Sequence, residues 1–251
     1  MEKLKNEIRS LLASIQFLTR IPVPSYQFSE TIFQNAITYF PFAGLIIGGI
    51  QVLFLYSLQE ISTKNLDSLF IILVLALGAT LTGAFHEDGF ADTLDSLGGQ
   101  TKEKKLEIMK DSRLGTFGVL GLVFLILLKF RLYSSMEISV LYKAILISQI
   151  LSRMSVFPLI LFLEYAGKTQ FHKPILEKKQ YFRNAIGFLI GSIPIFFFVQ
   201  NLFWFAICLL GFFAILFLLG VFCKSQIGGI TGDSLGFANQ VIELYALFLF
   251  L

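Results

Sequence analysis

The sequence is short of reactive side chains: among 251 residues there are two cysteines and two histidines, and charged residues make up only 15%. Cys208 and Cys223 share one apolar run about four helical turns apart, too far along one helix for a disulfide. They have no metal-ligand spacing either, so both read as packing or lipid-facing residues. His172 lies in a basic loop and His86 adjoins acids; each reads first as a polar contact, and only His86 is kept as a candidate base. No nucleic-acid signature is present, and the formal net charge is only +3. No cleavable signal peptide is expected either. The basic N-terminus leads into a short amphipathic segment, with no apolar core ahead of a small-residue cleavage site, so the first true span must act as the insertion signal.

What abounds is apolar. Hydrophobic residues make up 55% of the chain, 29 of them Phe, and the mean hydropathy is +0.75. That excludes a soluble domain and predicts one all-α polytopic membrane bundle over residues 1–251. Leu4, Ile8, Leu11, Leu12, Ile15 and Leu18 recur at helical spacing with Lys and Glu elsewhere on the wheel, the pattern of a helix lying in the membrane interface, ended by the 20–24 stretch with its two prolines. Spans are expected over 31–59, with Pro41 kinking it or shifting its start, then 68–85, 114–133, 138–163, 184–200 and 202–222. The last run, 241–251, makes a seventh span only if its helix starts near Leu235, so six or seven are expected. Gly44 and Gly48, like Gly187 and Gly191, form small-xxx-small pairs that read as helix-packing contacts. Lys129 and Arg131 are expected to snorkel at the far end of the third span.

The 20 Lys and Arg residues divide unevenly. Fifteen fall before residue 21 or in 86–113, 164–184 and 223–234; Lys64, Lys129 and Arg131 are on the opposite side, and Lys143 and Arg153 lie within the fourth span. The positive-inside rule then puts the first side in the cytoplasm, and three polar segments gather on that face.

Residues 86–113 form a polar island between two apolar runs. Asp88, Asp92 and Asp95 are spaced i, i+4 and i+7, one face of a helix, with Glu87 beside them. At roughly 5–6 Å and an effective dielectric near 20, like charges repel by about 3 kcal/mol per pair. A solvated acidic face is the bland alternative, but a face that opens directly from a membrane span among Gly83, Gly89, Gly98 and Gly99 points to a divalent cation. Lys110, Asp111 and Arg113 at the other end of the island add the charges needed to hold Mg²⁺ against a diphosphate, which favours phosphoryl transfer over simple ion binding. A second glycine-rich stretch, 228–236, offers backbone N–H groups at Gly228 and Gly229, the hydroxyls of Thr231 and Ser234, and Asp233. Arg153, about 15 Å inside its span, is expected to face the interior and to meet either a carboxylate or a substrate phosphate, with Gln149 on the same face.

The stretches His86-Glu-Asp-Gly-Phe-Ala-Asp-Thr-Leu-Asp95, Leu106-Glu-Ile-Met-Lys-Asp-Ser-Arg-Leu-Gly-Thr-Phe-Gly118 and Gly228-Gly-Ile-Thr-Gly-Asp-Ser-Leu-Gly236 closely resemble the three signature segments of the cobalamin synthase (adenosylcobinamide-GDP ribazoletransferase) family, and Phe17-Leu-Thr-Arg-Ile-Pro-Val-Pro24 looks like its N-terminal segment. The resemblance runs through essentially the whole chain. Phe117 stands where Tyr or His would be expected and Gln240 where an acid is common. The resemblance implies a Mg²⁺-dependent, multi-pass enzyme of a prokaryotic inner membrane; with the distribution of basic residues, its active site is expected to face the cytoplasm. Its substrates would be adenosylcobinamide-GDP and α-ribazole or α-ribazole 5′-phosphate; GMP leaves, and the product is adenosylcobalamin or its 5′-phosphate.

The implied roles put the metal on Asp88, Asp92 and Asp95, with Glu87 as a further candidate ligand. Lys110 and Arg113 are assigned to phosphate charge, and Asp111 or Asp233 to a second metal or the attacking hydroxyl. Arg153, Gly228, Gly229, Thr231, Ser234 and Glu243 would bind substrate. Membrane lipid is an expected partner, nucleic acid is not, and a homo-oligomer is left open. A CDP-alcohol phosphotransferase or an aspartate-rich prenyltransferase is the rival, although the phosphotransferase pattern has Arg after its Gly-x-x-Ala stretch where this chain has Asp92 after Gly89-Phe-Ala91. An ion-coupled transporter would place its acids near the midplane instead of at a span's end.

Overall fold

The computed structural model describes residues 2–27, 29–61, 68–166, 178–199 and 201–251. Lys64, His172, Gln200 and most of the basic loop after residue 166 fall outside them. The described residues are helical almost throughout; one isolated parallel bridge joins Tyr165 to Ile230.

The chain opens with α1, Glu2–Leu18. Its Ser10, Ala13, Ser14 and Leu18 are buried against the bundle while Leu4 and Ile8 remain exposed, and Glu7 ties it to Arg183 with one bond of 2.7 Å. Helix α2, Glu30–Ala36, runs through a 3-10 turn, Ile37–Tyr39, into α3, Phe40–Ile61. The turn has a covalent cause. Pro41 has no N–H to give to the Ile37 carbonyl, so the Phe40 N–H takes that acceptor one residue early. Pro41 thus shifts the helix phase inside one span, Glu30–Ile61.

Helix α4, Ser68–Thr82, meets α5, Phe85–Asp95, at a bend of 88°. Gly83 and Ala84 make the corner with φ of 65° and 56°, left-handed values that glycine adopts freely and alanine only under strain. A short α6, Lys102–Ile108, precedes α7, Thr116–Ser135. Next come α8, Ile138–Met154, and α9, Val156–Phe162, then α10, Lys178–Val199, and α11, Leu202–Ile227. Gly228, with φ of 85°, ends α11. The last helix is α12, Gly232–Phe248.

Helix α8 is the central pillar: with α9 it has 78% of its most apolar stretch buried, against 28% for α7 and 22% for α11. Helix α3 lies close against it because Gly44 has no Cβ; one placed there would sit 2.3 Å from the Gln149 carbonyl oxygen. Gly187 and Gly191 of α10 pack on Thr38 and Pro41 in the same way, so both small-xxx-small pairs serve packing. Cys208 and Cys223 are buried free thiols.

Four helical stretches are long and apolar enough to cross a membrane, or five if α4 and α5 together count as one broken span. The sequence-based expectation of six or seven adds α10, which opens on two lysines and Arg183, and α12, only 17 residues long and carrying Asp233 and Glu243. Both fall outside that set among the described residues.

Candidate active site

The corner at Gly83 turns α5 across the N-terminal ends of α7 and α12. Two sets of glycines let it pack there. A Cβ on Gly89 would lie 2.8 Å from the Asp233 carbonyl oxygen and 2.9 Å from its Cα, and one on Gly236 would lie 3.2 Å from the Gly89 Cα. On the α7 side, Gly115 and Gly118 leave room for the Asp95 carboxylate, and Gly121 for Leu94. The first and third signature segments therefore touch backbone to backbone, and Asp233 comes to the acidic face of α5.

The carboxylates divide by task. Asp92 is half-buried and faces Asp88, Asp233 and Asp95; burial first, then those like charges, push it up to about 7. Asp95 receives the Gly115 N–H at 2.7 Å and the Gly118 N–H at 2.8 Å, one on each oxygen, and so caps α7 from outside. Gly115 at the N-cap has no side chain with which to do this. Among the described residues no three His, Cys, Asp or Glu groups approach closely enough to hold a metal ion as they stand. The donor set is nonetheless of hard oxygens with an excess of negative charge, which suits Mg²⁺.

Thr231 and Ser234 are buried and bond each other's backbone N–H at 3.1 and 2.8 Å, a capping box that starts α12. This leaves the exposed Gly232 and the half-buried Asp233 as the open face of that turn. Gly229 packs on the Glu164 carbonyl, where a Cβ would lie 2.1 Å away, and the Ile230 N–H donates to the Glu164 carbonyl while the Ile230 carbonyl accepts from the Ala166 N–H. The exposed Gly228 ends α11, within 4 Å of Lys102 for an added Cβ. Parts of all three polar segments expected on one face do converge. Lys110 is exposed, and Arg113 is locked onto Asp111 by a fork of 2.9 and 2.6 Å that holds the Asp111 carboxyl down at about 2. That exposed pair is not brought to the acid cluster.

A second polar group lies inside the bundle. Lys129 reaches Glu243 at 2.8 Å and Gln240 at 2.6 Å. It is 6% exposed, so it does not snorkel; its neighbours draw it inward because a lone ammonium in lipid costs more than a paired one. Gln149 donates to Glu243 at 3.0 Å, Gln240 to Glu87 at 3.3 Å, and Arg153 Nη1 stands 3.9 Å from Glu243. His86 is buried facing Arg153 and Lys129. Glu87 thus belongs to this inner network instead of turning to the Asp88 side, and Arg153 meets an internal acid, one of the two partners expected of it. Lys129 is the residue that sequence reasoning missed. The signal was there: a cation and an acid, Lys129 and Glu243, in two different apolar runs.

A family described as cobalamin-5-phosphate synthase matches residues 10–251. The chain belongs to that family. Named relatives include the adenosylcobinamide-GDP ribazoletransferase of Thermoanaerobacter sp. (strain X514), 36% identical over 247 residues and 97% of each chain, and that of Clostridium tetani, 37% identical over 247 residues, 97% of this chain and 96% of the relative. The Ralstonia pickettii protein of the same name is 33% identical over 259 residues, 98% of this chain and 96% of its own. No solved structure matches. Family membership makes the chain a membrane-embedded transferase.

Proposed function

We propose that the chain joins adenosylcobinamide-GDP to α-ribazole or its 5′-phosphate with release of GMP. The observation that carries this reading is the Gly89–Gly236 crossing, which puts Asp88 and Asp92 of one signature segment against Asp233 of another. Two neutral metabolites would need no such concentration of carboxylates; a diphosphate with a divalent cation does.

Asp88, Asp92 and Asp233 would hold Mg²⁺, which when bound neutralises charge on the diphosphate. In the reaction an oxygen of a ribazole hydroxyl bonds to the phosphorus next to the cobinamide, and the P–O bond to GMP breaks with its electron pair going to the departing phosphate. Asp233 lies at the cluster and has no ion pair among the described residues, so it would take the hydroxyl proton while Asp88 and Asp92 carry the metal; Asp111, committed to Arg113, would not. The open first turn of α12 presents backbone N–H groups to phosphate oxygens. Lys110 and Arg113 stand further out, exposed, for the guanosine diphosphate end.

Purified protein should release GMP only when both substrates and Mg²⁺ are present, and no release from adenosylcobinamide-GDP would overturn the assignment. The distribution of basic residues supports a cytoplasmic-membrane location with this face inward. A single cysteine at Thr101 should then resist membrane-impermeant maleimide in sealed cells. Labelling there reverses the orientation, and the native thiols, both buried, give little background.

A further inference from the structure

A cavity of about 540 Å³ opens between α4 and α7, reaches Glu87 of α5, and ends on α8 and α12. Ile72 and Ala76 on one wall and Ile126 on the other mark its mouth. Ile72 is 52% and Ile126 55% exposed, so the mouth faces the lipid side of the bundle. Its floor is polar, made by Glu87, Lys129, Gln149, Arg153 and Glu243.

Two features of that floor define what it fits. First, it is balanced: Lys129 and Arg153 stand against Glu243 and Glu87, so a phosphate entering it gains no net field and loses its hydration. Second, three buried atoms of these side chains have no hydrogen-bond partner among the described residues: Glu87 Oε2, Gln149 Oε1 and Arg153 Nε. Gln149 is 3% and Arg153 2% exposed. The first two atoms accept and the third donates. Their complement is an uncharged group with two donors and one acceptor, which is a primary carboxamide. A carboxylate would meet two acceptors and be rejected. A cobinamide carries such carboxamides around the rim of a large, partly apolar ring, and a ring of that kind can enter from the lipid side.

We propose that this cavity is a carboxamide-reading subsite for the corrinoid half of the substrate, distinct from the phosphate chemistry at Asp88, Asp92 and Asp233. Glu87, Gln149 and Arg153 set its specificity. The identity of the ligand rests on the ribazoletransferase reading.

The probe is cobinamide itself, without nucleotide, together with an analogue whose rim carboxamides have been hydrolysed to carboxylates. Binding is followed by the corrinoid's visible absorbance on wild-type protein, Ala76→Phe and Gln149→Leu in nanodiscs. Cobinamide should bind the wild type, the acid analogue at least about ten-fold more weakly. Ala76→Phe narrows the mouth without touching the network, and should weaken binding and raise KM for adenosylcobinamide-GDP about ten-fold while kcat holds. Gln149→Leu should lose most of the discrimination between amide and acid. Should Gln149→Leu fail to fold, Ala76→Phe decides alone. Failure of wild type to bind cobinamide, equal binding of the acid analogue, or binding unaffected by Ala76→Phe overturns the proposal. Loss of a co-purifying phospholipid from Ala76→Phe with cobinamide binding unchanged assigns the cavity to lipid instead. Cobinamide binding with no GMP release would sink the reaction and leave the subsite standing.

Discussion

Replacing Gly89 by alanine tests whether the α5–α12 crossing builds the site. The added Cβ would lie 2.8 Å from the Asp233 carbonyl oxygen and 2.9 Å from its Cα. The carbon–carbon separation is about 0.6 Å short of the roughly 3.5 Å at which such atoms rest against each other. Both Asp233 atoms are backbone, so no rotamer change relieves the clash and the two helices must part by about that distance. Overpacking of this kind costs about 1–3 kcal/mol, while alanine favours a helix over glycine by about 1 kcal/mol. The net loss is then about 0–2 kcal/mol, a fall in melting temperature of no more than about 8 °C for a chain of this size. Turnover should suffer far more. Displacing Asp233 from Asp88 and Asp92 by over half an ångström should slow GMP release about ten- to a hundred-fold, since misplacement by 1 Å costs up to about 10². Gly98→Ala, where an added Cβ meets nothing within 4 Å, is the control and should keep both activity and melting temperature. Wild-type turnover in a folded Gly89→Ala protein would refute the claim that this crossing positions the acids.

Two substitutions of neighbouring acids should part company. Asp95→Asn loses a charged acceptor for the Gly115 and Gly118 N–H groups, so it should cost about 1.5–3 kcal/mol and lower the melting temperature whether or not Mg²⁺ is present. Asp92→Asn removes like-charge repulsion, so without Mg²⁺ it should melt no lower than wild type while losing most turnover and the upward shift that added Mg²⁺ gives the wild type; equal melting behaviour of the two variants counts against this division of labour. Lys129→Met leaves Glu243 facing only Arg153 and Gln149, and breaking the buried pair should cost about 3–5 kcal/mol. The double variant Lys129→Met with Glu243→Leu should recover part of that loss in a melting assay, and additive losses would show that the pair is not coupled.

The apolar runs and the scarcity of charge settled the helical membrane class by themselves, because backbone groups in lipid must be satisfied within a helix. The three signature segments were equally legible, since each is rich in polar residues or glycine in an otherwise apolar chain. Periodicity set the acids on one face of α5, but it could not show that Asp95 would spend both oxygens on the N-terminus of α7, bonding to residues 20 and 23 positions away. Nor could it show that Thr231 and Ser234 satisfy one another or that Arg113 turns to Asp111. Lys129 lay four residues from the expected end of its span and read as an interfacial cation; the position of Glu243 and Gln240 on another helix is what draws it inward. The meeting of Asp233 with Asp88 and Asp92 was also a matter for tertiary structure alone. It depends on two glycines, Gly89 and Gly236, finding each other at a helix crossing, and a missing side chain carries no information in sequence about which backbone will fill its place.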